Sequence, residues 1–303
     1  IPLILLISII NAQWVLIGPS GGINVSSLAI QNNIIYAGTN NGLYITSNSG
    51  QNWSAIPFNF GLITSLAVSG TRIFAGSISY GIFVSTNSGQ NWFSANFSPT
   101  VHWIASIIIN NNNIFAGTGI GNSPDGIYRS TDGGLNFFNS LSTTAVFALA
   151  AADSNIFGTA RWGMFYRSSN YGLNWIQPSI IPNTYNSFSL ILSGNLMYIG
   201  SENGNYGGLY LSTNRGDNWN STSFNSANVY SIINAGSTIY LGTNFGFYES
   251  INNGLNWIQR NEGMGELRIE DLIIDNTFIY AATWGSYVWR RPLSELVGVN
   301  YIN

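Results

Sequence analysis

The chain has 303 residues and a formal net charge of −3, and only 7% of its residues are charged. All nine basic residues are arginine, so no basic stripe for a nucleic acid is present, and the sequence has neither a Walker-type loop nor an acidic calcium loop. The absence of cysteine excludes disulfides and thiolate metal sites. We therefore expect no cofactor, no metal and no nucleic-acid partner.

Residues 1–12 (IPLILLISIINA) are almost wholly apolar and end in small residues. This pattern is typical of the apolar region and cleavage end of a secretory signal peptide, and it is too short for a membrane span. It predicts a truncated signal peptide, export to the medium or the cell surface, and no membrane span in the mature chain. The alternative is a first core strand, which Pro2 fits poorly.

From residue 13 onward, a unit of short apolar segments recurs about every forty residues. Each unit has an alternating segment, an apolar segment ending in glycine such as residues 35–38 (IYAG), and a segment such as residues 42–44 (GLY). Such segments, rich in Ile, Tyr, Phe and Val and bounded by Gly, Asn and Ser, predict β-strands. No segment has a helical period with caps, so the chain is predicted to be all-β.

The unit includes an eight-residue segment, here called the box, with the pattern Ser/Thr-x-Asn/Asp-x-Gly-x-x-Trp/Phe. The Asn or Asp can accept bonds from backbone N–H groups and the glycine supplies positive φ, so the box predicts a turn between the third and fourth strands. The aromatic residue is expected to pack between neighbouring sheets. We interpret these residues as structural: Asn48, Gly50, Trp53, Asn87, Gly89, Trp92, Asp132, Gly134, Phe137, Asn170, Gly172, Trp175, Asn214, Gly216, Trp219, Asn252, Gly254 and Trp257.

Four strands in a unit of about forty residues is the size of a propeller blade. Six boxes give six blades, and residues 279–289 supply the second and third strands of a seventh blade that has no box. Residues 13–17 (QWVLI) look like an outer strand, which we expect to complete the last blade and close the ring. The sequence predicts one seven-bladed β-propeller over residues 13–291, followed by a linker over residues 292–303. Six or eight blades would leave one end unexplained.

The box resembles the Asp-box, or BNR repeat, of bacterial β-propellers, although five of its six copies have Asn where the family has Asp. That family includes sialidases, xyloglucanases, sortilin-type receptors and photosystem assembly factors, so the resemblance implies a fold and leaves function open. It also implies that the boxes lie away from the ligand face. Residues 284–285 (WG) and 290–295 (RRPLSE) resemble the end of propellers exported by the type IX secretion pathway, which implies export and a sorting domain after the linker.

Propeller geometry places the loops between strands two and three, and between successive blades, on the face opposite the boxes, here called the top face. Insertions at residues 119–125 and 202–206 fall in the loops between strands two and three, which indicates a binding face. Aromatic rings with a few polar groups suit sugars or extended peptides, although the rings can equally plug the channel. The candidate ligand-binding residues are Tyr80, His102, Trp103, Arg161, Trp162, Tyr206, Phe245, Arg268 and Trp284. For His102 a packing role is the stronger alternative.

The sequence favours a secreted, monomeric, non-catalytic protein that binds a glycan or a protein. The alternative is a glycoside hydrolase resembling sialidases or xyloglucanases, which needs two carboxylates across a sugar. Its candidate acids are Asp125, Glu202 and Glu266. These acids lie on Gly- and Asn-rich loops, whereas acid–base chemistry prefers groups held on rigid elements.

Overall fold

The computed structural model describes residues 13–19, 23–57, 61–97, 103–119, 125–204, 207–285 and 287–296. The predicted signal peptide at 1–12, residues 297–303 of the predicted linker, His102 and Tyr206 lie outside these ranges. The described residues form strands and two single-turn 3-10 segments, η1 (Arg161–Gly163) and η2 (Leu293–Glu295). In this part of the chain there is no helix with the length and apolar character needed to cross a membrane.

The strands form seven four-stranded antiparallel sheets, the blades of a β-propeller, as the sequence predicts. Blade 1 contains β2 (Val25–Gln31), β3 (Ile34–Thr39), β4 (Gly42–Thr46) and β5 (Ser54–Ala55). Blade 2 contains β6 (Ile63–Ser69), β7 (Arg72–Ser77), β8 (Ile82–Ser85) and β9 (Phe93–Ser94). Blade 3 contains β10 (Ile104–Asn110), β11 (Asn113–Thr118), β12 (Gly126–Ser130) and β13 (Phe138–Ser142). Blade 4 contains β14 (Val146–Ala152), β15 (Asn155–Ala160), β16 (Met164–Ser168) and β17 (Ile176–Ile180). Blade 5 contains β18 (Asn186–Ser193), β19 (Leu196–Glu202), β20 (Gly208–Ser212) and β21 (Asn220–Ser221). Blade 6 contains β22 (Val229–Ala235), β23 (Thr238–Thr243), β24 (Gly246–Ser250) and β25 (Ile258–Gln259). Blade 7 contains β26 (Ile269–Ile274), β27 (Phe278–Thr283), β28 (Tyr287–Pro292) and β1 (Val15–Leu16).

The N-terminal strand completes the last blade, which confirms the predicted closure of the ring. β1 pairs antiparallel with β28, with Val15 opposite Arg290. Trp14 is buried between blades 6 and 7, where its Nε1 donates to the carbonyl of Arg260 at 2.7 Å. Its ring meets Phe247 edge-on with 5.0 Å between centroids. The two ends of the propeller are therefore joined by strand pairing and by a buried aromatic residue.

The hydrophobic core is divided into layers between adjacent blades. Between blades 3 and 4, for example, Ile127 and Val146 are fully buried in one cluster. Burial of a side chain of this size contributes roughly 1.5–3 kcal/mol. In the last layer Leu293 and Leu296, which follow β28, are buried against blade 7, so packing extends past residue 291.

The six boxes form the turns between the third and fourth strands and share one hydrogen-bond pattern. In the second box, the Ser85 hydroxyl donates to Asn87 Oδ1 at 3.1 Å and accepts from the Gly89 N–H at 2.8 Å. Asn87 Oδ1 also accepts from the Asn91 N–H at 2.9 Å. The other boxes repeat these three bonds. Since these bonds use one side-chain oxygen of the Asn or Asp, an amide can replace the carboxylate, as it does in five of the six boxes.

A β-bulge interrupts the innermost strand of every blade at an equivalent position. A bulge adds one residue to the strand and redirects its side chain. The added residue lines the central channel in each blade. In order from blade 1 to blade 7, these channel residues are Ser26, Thr64, Ala105, Phe147, Phe188, Tyr230 and Glu270.

Candidate functional site

In four of the described blades, an aromatic residue directly precedes a glycine in the loop between strands two and three. The four residues and their exposed fractions are Tyr80 (62%), Trp162 (50%), Phe245 (48%) and Trp284 (54%). The glycine has a positive φ, +72° at Gly163 for example, so it makes the turn and the aromatic residue is not needed for it. About half of each of these side chains is therefore available for contact with a ligand. We call these four residues the aromatic rim.

Trp162 has a backbone conformation that large side chains rarely adopt. Its φ and ψ are 62° and 30°, in the left-handed region. Its N–H donates to the carbonyl of Tyr185 at 2.7 Å, which fixes the loop of blade 4 to the beginning of blade 5. Strain of this kind persists only where the surrounding structure holds it, and it often occurs at binding sites.

Arg161 lies between two aromatic rings on this face. Its guanidinium carbon is 5.2 Å from the centroid of Trp162 and 4.8 Å from that of Tyr185. Its Nη2 donates to the Tyr185 hydroxyl. Its Nε is buried and has no partner among the described residues. Within that part of the chain, no carboxylate forms an ion pair with Arg161.

A second arginine on the same face is charge-compensated. The guanidinium carbon of Arg268 lies 4.8 Å from the centroid of Tyr230 and 4.7 Å from that of Trp284. Its Nε contacts Glu270 Oε1 at 2.5 Å. Arg268 therefore connects the aromatic rim to the channel lining, with its charge balanced by a carboxylate.

The channel lining is asymmetric. The rings of Trp103, Phe147, Phe188 and Tyr230 follow one another around blades 3 to 6, with successive centroids 5.9, 5.2 and 5.7 Å apart. Opposite them, the channel residues of blades 1 to 3 are small, and a mainly polar cavity of about 260 Å³ lies between the two halves. The channel thus has an aromatic wall on one side and space on the other.

Glu270 lines the channel, and its pKa is raised. Burial raises the pKa of Glu270, Arg268 lowers it, and the charge of Glu202 raises it again. Burial likewise raises the pKa of Tyr230, against the lowering effect of Arg268. Glu202 accepts a bond from Asn186 Nδ2 at 3.1 Å, so it is held on β19 rather than on a free loop.

The other two predicted acids have local contacts. Glu266 Oε1 accepts from the N–H groups of Leu267 and Arg268 at 3.0 and 3.1 Å, which caps its own loop. The carbonyl of Asp125 accepts from the Thr143 N–H at 3.2 Å. Within the described residues, no group of three His, Asp or Glu side chains is arranged to hold a metal.

The predicted ligand-binding residues within the described ranges lie at the top face. Tyr80, Trp162, Phe245 and Trp284 form the rim, and Arg161 and Arg268 stack on rim residues, while Trp103 packs against Phe147. Sequence reasoning missed Phe147, Phe188, Tyr230 and Glu270, because they lie inside strands. In an alignment of the seven innermost strands these residues share one position, at which the residue type differs from blade to blade.

Comparison with known proteins identifies the fold and no family. No protein-family model matches the chain, and no curated protein sequence matches it. Solved structures do match at low sequence identity. One is YCF48 bound to D1 peptide, with 13% identity, a TM-score of 0.72, and coverage of 92% of this chain and 96% of that one.

Two further matches are longer proteins. The GH74 xyloglucanase from Xanthomonas campestris has 14% identity and a TM-score of 0.72, with coverage of 96% of this chain and 55% of that one. An extracellular domain from B. thetaiotaomicron has 15% identity and a TM-score of 0.73, with coverage of 95% of this chain and 42% of that one. This chain therefore spans about half or less of each. At these identities the matches establish one point, that the chain has the β-propeller fold.

Proposed function

We propose that this chain is an exported, monomeric, non-catalytic propeller that binds a glycan on its top face. The observation that carries this proposal is the aromatic rim, in which four loops each hold a half-exposed aromatic residue directly before a glycine. Sugar rings stack on such faces, while nearby polar groups orient their hydroxyls. The central channel of the same propeller offers Ser and Thr side chains and backbone groups for this purpose.

A glycan fits these features better than a peptide. Three common modes of peptide recognition use a sheet edge, an apolar groove for a helix, or a groove for a proline-rich segment. The channel cavity is mainly polar, and the loops of the rim offer no strand edge. Among the structural neighbours, one is named for a polysaccharide and another for a bound peptide, so fold similarity alone does not choose between them.

Export is part of the same proposal. It is supported by the apolar residues 1–12 and by the similarity of residues 290–295 to type IX secretion propellers. An Asp-box relationship, a sorting domain beyond the linker and a cell-surface or extracellular location are further elements of this proposal. A cell-fractionation experiment tests the location, because a cytoplasmic product would contradict export.

Glycan binding is tested by affinity electrophoresis of the purified chain on xyloglucan, arabinoxylan, mixed-linkage glucan and polygalacturonate. We expect retardation on at least one polymer, and the double variant Trp162→Ala/Trp284→Ala should weaken binding roughly tenfold or more. Phe138→Ala is the matched control, since Phe138 is 70% exposed on the outer strand of blade 3, away from the rim. Unchanged binding by the double variant, or capture of peptides only, would show that the proposal is wrong.

The Glu202–Glu270 pair favours one second candidate, a glycoside hydrolase. Burial raises the pKa of Glu270 and the charge of Glu202 adds to this effect, and such enzymes use two carboxyl groups of which the acid has a raised pKa. If the chain hydrolyses one of the polymers above, Glu270→Gln and Glu202→Gln should each abolish reducing-sugar release. Absence of turnover on a polymer that the chain binds would exclude this candidate for that polymer.

A further inference from the structure

We infer that the rim is selective for glycans that contain uronic acids, with Arg161 as the residue that binds the sugar carboxylate. This inference rests on the proposed glycan binding and adds the chemical class of the ligand. It starts from the two arginines that stack on rim residues: Arg268 has a carboxylate partner, whereas Arg161 has none among the described residues.

Arg161 differs from the arginines that form ion pairs. Arg167, Arg260, Arg268 and Arg291 each lie within 4.0 Å of a carboxylate oxygen. No described carboxylate is that close to Arg161. A guanidinium has five N–H donors, and among the described residues the side chain of Arg161 makes one hydrogen bond, from Nη2 to the Tyr185 hydroxyl. Its donor capacity therefore exceeds what the described protein groups use.

The guanidinium is also held in position before any ligand arrives. The rings of Trp162 and Tyr185 lie on it, and the strained backbone of Trp162 is fixed by its bond to blade 5. Ordering a free arginine costs side-chain entropy, so a stacked arginine loses less on binding. The Nε of Arg161 is buried and has no hydrogen-bond partner among the described residues.

A uronic acid matches this arrangement because it combines a sugar face with a carboxylate. The half-exposed indole of Trp162 offers a surface for the ring, and Arg161 lies beside it for the carboxylate. The chain has a net charge of −3, and Glu270 lines the channel, so general attraction of polyanions is unfavourable. A preference for an acidic sugar must therefore come from a local contact such as Arg161.

The test compares polygalacturonate with its fully methyl-esterified form, and alginate with its propylene glycol ester, by affinity electrophoresis and calorimetry at low salt. Each pair has the same backbone and differs in carboxylate charge. We expect the chain to bind at least one acidic polymer roughly tenfold or more tightly than its ester, because hydrogen bonds between charged groups have about this effect. Arg161→Gln should reduce binding of the acidic polymer to the level of the ester, and Arg161→Lys should retain part of the preference.

Arg129→Gln is the matched control for charge, because Arg129 lies on the third strand of blade 3 and contacts Asn113. It should leave the preference unchanged. Thermal unfolding of each variant shows that it is folded. Equal binding of acid and ester, an unchanged preference in Arg161→Gln, or no binding of either acidic polymer would overturn the inference. Binding of neutral polymers in the panel above would then still support the proposed function, whereas binding of no glycan at all would refute both.

Discussion

Replacing Asp271 should weaken the propeller where its first and last blades meet. This residue follows the bulge of β26, and its Oδ2 accepts from the Leu28 N–H of blade 1 at 2.7 Å. Its Oδ1 accepts from the Leu272 N–H at 2.8 Å and from the Ser231 hydroxyl of blade 6 at 3.2 Å. In blade 5 a serine makes the equivalent contact, because the Ser189 hydroxyl accepts from the Ile232 N–H of blade 6 at 2.9 Å. Asp271 thus connects three blades.

The contacts allow the size of the effect to be estimated. In Asp271→Ala the Leu28 N–H loses this acceptor, and a buried donor left unpaired costs about 1–3 kcal/mol of unfolding free energy. The Leu272 N–H keeps the Ser231 hydroxyl at 3.1 Å. In Ser231→Ala the same N–H keeps Asp271, so that variant should lose less than about 1 kcal/mol. The two variants therefore differ because only one of them leaves a donor unpaired.

The same residue gives the fold a pH dependence. Burial raises the pKa of Asp271 to about 6, its hydrogen bonds lower it, and the charge of Glu270 raises it. A raised pKa means that the folded protein binds the proton more tightly than the unfolded chain, so the stabilising contribution is complete below the usual carboxyl pKa and is lost as pH rises through about 6. Asp271→Asn should remove this contribution.

Urea unfolding followed by tryptophan fluorescence measures both effects, at pH 4.5 and pH 7.5. Asp271→Ala should be clearly less stable than Ser231→Ala, and the wild-type protein should lose more stability between the two pH values than Asp271→Asn does. Equal stability of the two alanine variants would refute the assignment of Asp271 as the connection between blades.

Three further substitutions test other parts of the structure. Gly163→Ala should cost about 1–3 kcal/mol in urea unfolding and weaken rim binding, because φ is +72° and a Cβ would lie 2.4 Å from the Ile181 carbonyl oxygen. Arg260→Ala should cost about 3–5 kcal/mol, since it leaves the buried Glu249 carboxylate without its partner at 3.0 Å, and adding Glu249→Gln should restore part of the loss. Hydrogen bonds from Asn136 lower the pKa of Asp132 to about 2. The contribution of Asp132 to folding stability is therefore present above the usual carboxyl pKa and disappears as pH falls through about 2. Asp132→Asn should remove this loss of stability in acid. Unfolding curves between pH 4 and pH 1.5 measure this, and identical curves for the variant and the wild-type protein would contradict it.

The blades could be predicted because local chemistry repeats. Each box carries its own acceptors for its own turn, so residues such as Ser85, Asn87 and Gly89 specify the turn without help from distant contacts. Closure of the ring was also predictable, since Trp14 begins a strand that lacks a partner nearby in sequence and blade 7 lacks an outer strand. Repetition therefore fixes the fold class more firmly than any single segment does.

The channel lining could not be predicted in the same way. Tyr230 and Glu270 lie in strands whose alternation gives no sign of a bulge, and only the bulge turns these side chains into the channel. Arg268 pairs with Glu270 two residues away in blade 7, where the bulge sets the direction of the Glu270 side chain, and no carboxylate among the described residues pairs with Arg161. The aromatic residues of the loops could be found in the sequence, whereas the partners of the charged residues on the top face could be found only in the structure.

The most direct test of the central claim is hydroxyl-radical footprinting of the chain with and without polygalacturonate, or another polymer of the panel if that polymer is the one bound. Binding at the rim should protect Tyr80, Trp162, Phe245 and Trp284 from oxidation while Phe138, on the outer strand of blade 3, stays as reactive as before. Protection of Phe138 with an unprotected rim would contradict the account.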